Sequence, residues 1–141
     1  MIKKYMSINY WLLKSEPGDW SWQNQLKEGS SMWDGVRNYQ ARNNLKEMKK
    51  NDLCFFYHSV VQKSIVGIVK VVKEYYPDPT DETGRFVVVD VKAVKKLNSP
   101  VSLDQIKENN KLQNIALVKQ SRLSVMPIKK VEWDTIIKMS N

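Results

Sequence analysis

Hydrophobic positions along this chain follow two different periods, and the switches between them mark the elements. Tyr10-Trp11-Leu12-Leu13 and Leu53-Cys54-Phe55-Phe56-Tyr57-His58 are short, nearly continuous apolar runs, which predict buried strands. Ser64 to Tyr75 is a longer β-branched run with Gly67 as a candidate bulge. Phe86 to Lys96 is its expected partner across the Pro77 to Gly84 loop. Alternation there puts Val87, Val89, Val91 and Ala93 on one face, Asp90 and Lys92 on the other. Helical spacing takes over at Ala41, Leu45 and Met48, the inward stripe of a helix from Val36 to Lys49. The same period at Trp133, Ile136 and Ile137 predicts a helix over Lys130 to Met139.

Local start and stop signals fill in the rest. Pro17 holds Glu16 extended and ends the first strand. Asp19 or Ser21 caps a brief helix through Lys27, with Gly29 as its terminator. Ser102 and Gln105 have capping-box spacing and start another short helix. Ala116-Leu117-Val118 and Leu123-Ser124-Val125 read as short strands flanking Lys119 to Arg122. With no repeat, linker or low-complexity stretch, residues 1–141 form one α+β domain, a small mixed barrel with helices packed around it.

Composition narrows this in part. Five Trp, six Tyr and three Phe supply ample core and exclude disorder. The one cysteine, Cys54, rules out a disulfide framework and points to a reducing compartment, so the expected location is cytoplasmic. No apolar run approaches membrane-spanning length, and Met1-Ile2-Lys3-Lys4-Tyr5-Met6 lacks the apolar stretch of a signal peptide. A net charge of +8 suits a phosphate-bearing partner. Nineteen of the 23 basic residues are lysines, however, many in plain surface positions such as Lys49-Lys50 and Lys95-Lys96. Charge alone decides little.

Candidate chemistry concentrates in Trp33 to Asn43. An Asp34-Gly35 turn leads into a helix whose first turns carry Arg37, Asn38, Gln40, Arg42 and Asn43. Planar guanidinium and carboxamide groups read flat edges and phosphates, whereas a purely stabilising helix is filled with Glu, Lys, Leu and Ala. In the functional reading Trp33 stacks on a base, worth roughly 1–3 kcal/mol, while Arg37 or Arg42 pairs with phosphate. In the plainer reading Trp33 is core, and the arginines bridge to Glu16 or Glu47.

On these residues the chain resembles the EVE domain family, a relative of the PUA and YTH folds. The resemblance rests on four segments: Tyr10 to Pro17, Trp33 to Asn43, Asp52 to Ser59 and Ser121 to Ile128. It implies a PUA-like mixed β-barrel of five or six strands flanked by helices. It also implies a cleft where the segments meet, which takes a flipped, modified base of DNA or RNA. Carried onto this chain, the cleft is lined by Ser15, Glu16 and Pro17, then by Trp33, Gly35, Val36, Arg37 and Asn38. Tyr57, His58 and Ser59 come from the third segment, Arg122 and Ser124 from the fourth. The stretch Gly18-Asp19-Trp20-Ser21-Trp22 is richer in Trp than the family pattern.

Each residue also has a structural alternative. Glu16 either accepts a hydrogen bond from a base's exocyclic amine or bridges to Arg37 or Arg122. Strand alternation sends Tyr57 and Ser59 toward the pocket and His58 away, into a supporting hydrogen bond. Arg122 is a ligand contact or half of a buried ion pair. Trp20 and Trp22 straddle a helix entry, one buried and one exposed; they form a hydrophobic staple or offer one ring to a flanking base. Cys54 is core.

Catalysis finds little footing: there is no P-loop, no GxGxxG, no supported Ser–His–Asp order and no metal-ligand spacing. The expectation is a non-catalytic monomer that needs no cofactor or metal and binds DNA or RNA carrying a modified base, with no membrane partner. The rival is a nucleoside-like small-molecule sensor or enzyme using the same cleft.

Overall fold

The computed structural model describes residues 7–141, so the Met1 to Met6 segment, read above as no signal peptide, lies outside the described residues. In chain order the first half comprises β1 (Tyr10–Ser15), α1 (Trp22–Glu28), β2 (Ser30–Met32), α2 (Tyr39–Glu47) and β3 (Leu53–His58). There follow β4 (Ser64–Pro77), β5 (Val87–Ser102), α3 (Leu103–Glu108), a 3-10 turn, α4 (Ala116–Lys119), β6 (Val125–Ile128) and α5 (Lys130–Met139).

The strands form one six-stranded sheet in the order β2-β5-β4-β3-β1-β6. β1 and β3 run parallel, and all other neighbours are antiparallel. The α+β class is as expected, but the sheet does not close into a barrel. β2 and β6 are its two edges, three and four residues long, and they are not paired with each other. A helix side chain serves β6 where a strand would have to: Asn44 of α2 donates to the Val125 carbonyl at 2.7 Å. Pro127 has no N–H to offer a further strand.

β3 is buried on both faces, which is why its sequence runs apolar instead of alternating. Phe55 stacks on Trp133 of α5 at 3.8 Å between ring centroids. Phe56 meets Trp22 and Trp33 edge-on at 5.3 and 5.4 Å. The pairing of β4 shifts at Gly67, as the bulge reading expects, and there is no room for a side chain at this position. A Cβ on Gly67 would lie 2.5 Å from the Trp22 indole. Buried Asp52 ties the start of β3 down by accepting from the Trp11 indole N–H at 2.9 Å and the Lys49 N–H at 2.9 Å.

Caps define the helices. Ser21 and Asn24 close a capping box on α1, Ser102 and Gln105 one on α3. α2 starts at Tyr39, not Val36, because the Asn38 side chain accepts the Ala41 N–H at 2.8 Å and ends the extended chain there. Ala116 to Val118 is helical, not a strand. Leu112 and Ile115, both buried, already set a three-residue spacing just before it. β2 has too few residues to show a period of its own.

Candidate functional site

A cleft of about 790 Å³ opens where the two edges of the unclosed sheet approach each other. Ser31 and Met32 of β2 line one side; Ser15 of β1 and Ser124, just before β6, line the other. The loop from Trp33 to Asn38 and the turn from Glu16 to Trp20 complete it.

The Trp33–Asn38 loop is held by a residue distant in sequence. Gly35 sits at φ +80°, where glycine is favoured, and its N–H donates to Asp78 Oδ2 at 3.0 Å. Arg37 Nη1 reaches the same oxygen at 3.0 Å, and Nη2 donates to Thr80 Oγ1 at 3.0 Å. Asp78 is buried, and burial alone would raise its pKa. Hydrogen bonds from Thr80, Gly35 and Arg37 outweigh that and hold the carboxyl below its usual range. Arg37 thus bridges to Asp78, in place of the Glu16 or Glu47 partner that its plainer reading expected. Asn38 borders the cleft with its carboxamide oxygen committed to the α2 cap, leaving the amide nitrogen as the end that can donate.

Two tryptophans border the cleft in different ways. Trp33 is only 7% exposed and belongs to the core as well as to the wall. Trp20 is half-buried, and its indole N–H is fixed by Gln25 Oε1 at 2.9 Å. Trp20 and Gln25 occupy the staple positions around the Ser21 cap, so this staple is a hydrogen bond, not an apolar contact. Trp22, its neighbour two residues on, is buried as the straddling reading requires.

Charge is sorted sharply. The lining carries four carboxylates, Glu16, Asp19, Glu28 and Asp34, against two cations, Lys14 and Arg37. Arg37 is already paired with Asp78. The Lys14 ammonium donates to the Ser121 carbonyl at 2.7 Å, and burial lowers its pKa. A chain of net charge +8 therefore presents an acid-rich cleft.

Several expected residues lie elsewhere. Pro17 turns the chain beside the cleft without lining it. Arg42 lies along the outer side of α2, with its guanidinium 4.9 Å over the Tyr39 ring and Nη1 on the Arg85 carbonyl at 3.2 Å. The later start of α2 accounts for this: only Arg37 and Asn38 remain in the loop. Tyr57 is buried near α3; burial, then the charge of Asp104, pushes its hydroxyl up to about 12. Ser59 uses its backbone N–H on the Ser15 carbonyl at 2.9 Å. His58 supports from behind, as its alternation predicted. Its Nε2 accepts the Trp22 N–H at 3.0 Å, so the proton sits on Nδ1 and is donated to Gln62 Oε1 at 2.7 Å. Arg122 is exposed and, among the described residues, has no buried ion-pair partner. Conversely, Lys14, Glu28, Ser31 and Met32 carried no sequence signal for a site. Among the described residues no group of three or more His, Cys, Asp or Glu is arranged to hold a metal.

Comparison with known proteins matches the sequence and the fold. Thymocyte nuclear protein 1 of Rattus norvegicus is 35% identical over 170 residues, covering 93% of this chain and 73% of the relative. Rpa0253 from Rhodopseudomonas palustris superposes with a TM-score of 0.89 at 47% identity, over 94% of this chain and 93% of that one. The human THYN1 protein, solved in complex with 5-methylcytosine containing DNA, superposes with a TM-score of 0.84 at 32% identity, over 94% and 98% of the two chains. Residues 9–139 match the EVE domain model, and the chain belongs to the EVE domain family.

Proposed function

We propose that the cleft takes up a modified base swung out of a nucleic acid, DNA in the first instance, and performs no reaction on it. The observation that carries this reading is the charge sorting. An acid-rich, tryptophan-walled cleft repels an anionic mononucleotide but suits a neutral base with an exocyclic amine, which a carboxylate such as Glu16 can accept. Phosphates then stay outside, where the excess of lysine and the outer arginines can meet them. The human relative's complex with 5-methylcytosine containing DNA supports cytosine as the base, since its N4 amine is such a donor.

The energies are compatible. Extrusion costs a few kcal/mol, which stacking at roughly 1–3 kcal/mol per base and an edge hydrogen bond offset. A buried methyl adds only about 0.8 kcal/mol, so Met32 and Val36 in the lining supply a few-fold preference for it, while Glu16 selects for a base with an exocyclic amine. Against catalysis, the Ser15 hydroxyl donates to the Trp20 carbonyl, and both ring nitrogens of His58 are occupied. The domain works as a monomer. A cytoplasmic setting fits a single buried cysteine, and among the described residues no helix is long and apolar enough to cross a membrane.

Titrating 5-methylcytosine, N6-methyladenine and unmodified oligonucleotides over a salt series tests this. The expected result is a preference for one modified strand with a steep salt slope, and weaker binding of that strand by Glu16→Gln. Salt-independent binding of free nucleosides as tight as of oligonucleotides would instead favour the small-molecule sensor.

A further inference from the structure

The hairpin joining β3 to β4 carries two valines that the fold leaves in solvent. Val60 is 60% exposed and Val61 84%. Val60 also stands at φ +69°, in the left-handed region where a β-branched side chain is strained, and Lys63 at φ +49° closes the same turn. Asn or Gly would relieve the strain, and a polar residue the exposure. The tip is nonetheless held in place. Val61 donates its N–H to the Ser59 carbonyl at 2.8 Å, and Leu103 donates to the Lys63 carbonyl at 2.9 Å. Gln62 accepts from His58, which itself holds the Trp22 N–H.

The hairpin stands beside the cleft. Ser59 donates to the Ser15 carbonyl at 2.9 Å on one side of the β1 end. On the other side the Lys14 N–H donates to the Ser124 carbonyl at 2.9 Å. Ser15 and Ser124 both line the cleft, so the valine hairpin is hydrogen-bonded to one lining residue and exposed Arg122 lies two residues before another.

We propose that Val60-Val61 is a wedge that enters the base stack of double-stranded DNA while the extruded base occupies the cleft; this rests on the base-capture reading. Apolar side chains inserted at a base step partly unstack it, and a rigid pair next to the receiving cleft would fill the gap the base leaves. Exposed Lys63 on the hairpin and exposed Arg122 near Ser124 offer cations to the phosphates of a duplex held here. A strained, exposed valine is then a functional feature of the turn.

The test is the double variant Val60→Ser/Val61→Ser, with both sites on the surface and folding checked by thermal melting. Three probes carry one 5-methylcytosine each: a duplex, the same strand alone, and a duplex lacking the opposing base. The variant should lose at least about tenfold on the intact duplex and stay within about twofold of the parent on the other two. An adjacent 2-aminopurine should brighten with the parent and not with the variant. Parental binding to the intact duplex, or equal loss on all three probes, overturns the wedge. Glu16→Gln, which tests the cleft, should weaken all three alike. A parent that binds no methylated probe overturns base capture and the wedge with it.

Discussion

Arg37 and Asp78 are 41 residues apart in sequence, yet their side chains meet at 3.0 Å, and the same carboxylate oxygen accepts the Gly35 N–H. One buried acid in the loop between β4 and β5 therefore sets the shape of the cleft wall from Gly35 to Arg37. Its position makes this guanidinium a structural brace as much as a ligand contact.

Asp78→Asn should cost about 1.5–3 kcal/mol in chemical denaturation, the range for hydrogen bonds to a charged group, and should weaken oligonucleotide binding. The pH dependence has a definite sign. A carboxyl held below its usual pKa stabilises the fold above its unfolded pKa, and that contribution is lost as pH falls through the folded value. Acid melts of the parent should therefore lose stability below about pH 4, and the Asn variant should lose less. Asp81, which the Thr83 hydroxyl helps pull down to about 2, titrates in the same window, so the difference between parent and variant isolates Asp78.

Trp20 and Trp33 should separate binding from stability. Trp33→Ala removes a core indole packed on Phe56 and should cost about 3–5 kcal/mol, visible as a large drop in Tm. Trp20→Ala touches a half-buried ring and should melt much closer to the parent, while losing roughly 1–3 kcal/mol in affinity for the modified strand. If Trp20→Ala binds as the parent does, the rim tryptophan has no part in stacking.

Gly67→Ala should destabilise by about 1–3 kcal/mol or more, because the added methyl has no room beside a ring that cannot swing aside. Calorimetry of the variant, alone and combined with Trp22→Leu, checks the cause. The smaller partner should restore part of the loss if the clash with Trp22 is responsible.

Cys54 should be inert in the native state. Burial, and then the nearby Asp52 charge, push its thiol well above the ordinary range. A thiol reagent at pH 8 should modify it at the rate of global unfolding, and fast labelling without denaturant would contradict its sealed position.

Much of the fold is legible in particular residues. The capping signals at Ser21 and Ser102, the bulge at Gly67 and the apolar run of β3 each act over a few residues, so periodicity and turn chemistry reveal them. Ala116 to Val118 is ambiguous in the sequence because three apolar residues fit either period. Arg42 falls with Arg37 only if α2 begins at Val36; with Asn38 as its cap the helix begins at Tyr39 and Arg42 lies on its outer face.

From its residues alone this chain specifies an α+β domain with its strands, caps and aromatic core, since those follow from local spacing and side-chain chemistry, and four motif segments carry its resemblance to the EVE family. Where the cleft lies and which acids line it depend on β2 and the turn before β6 reaching one opening, and Asp78 braces Arg37 because the β4–β5 loop folds against the loop after β2. Contacts between segments some forty positions apart leave no periodic trace in a single sequence, and only folding brings them together.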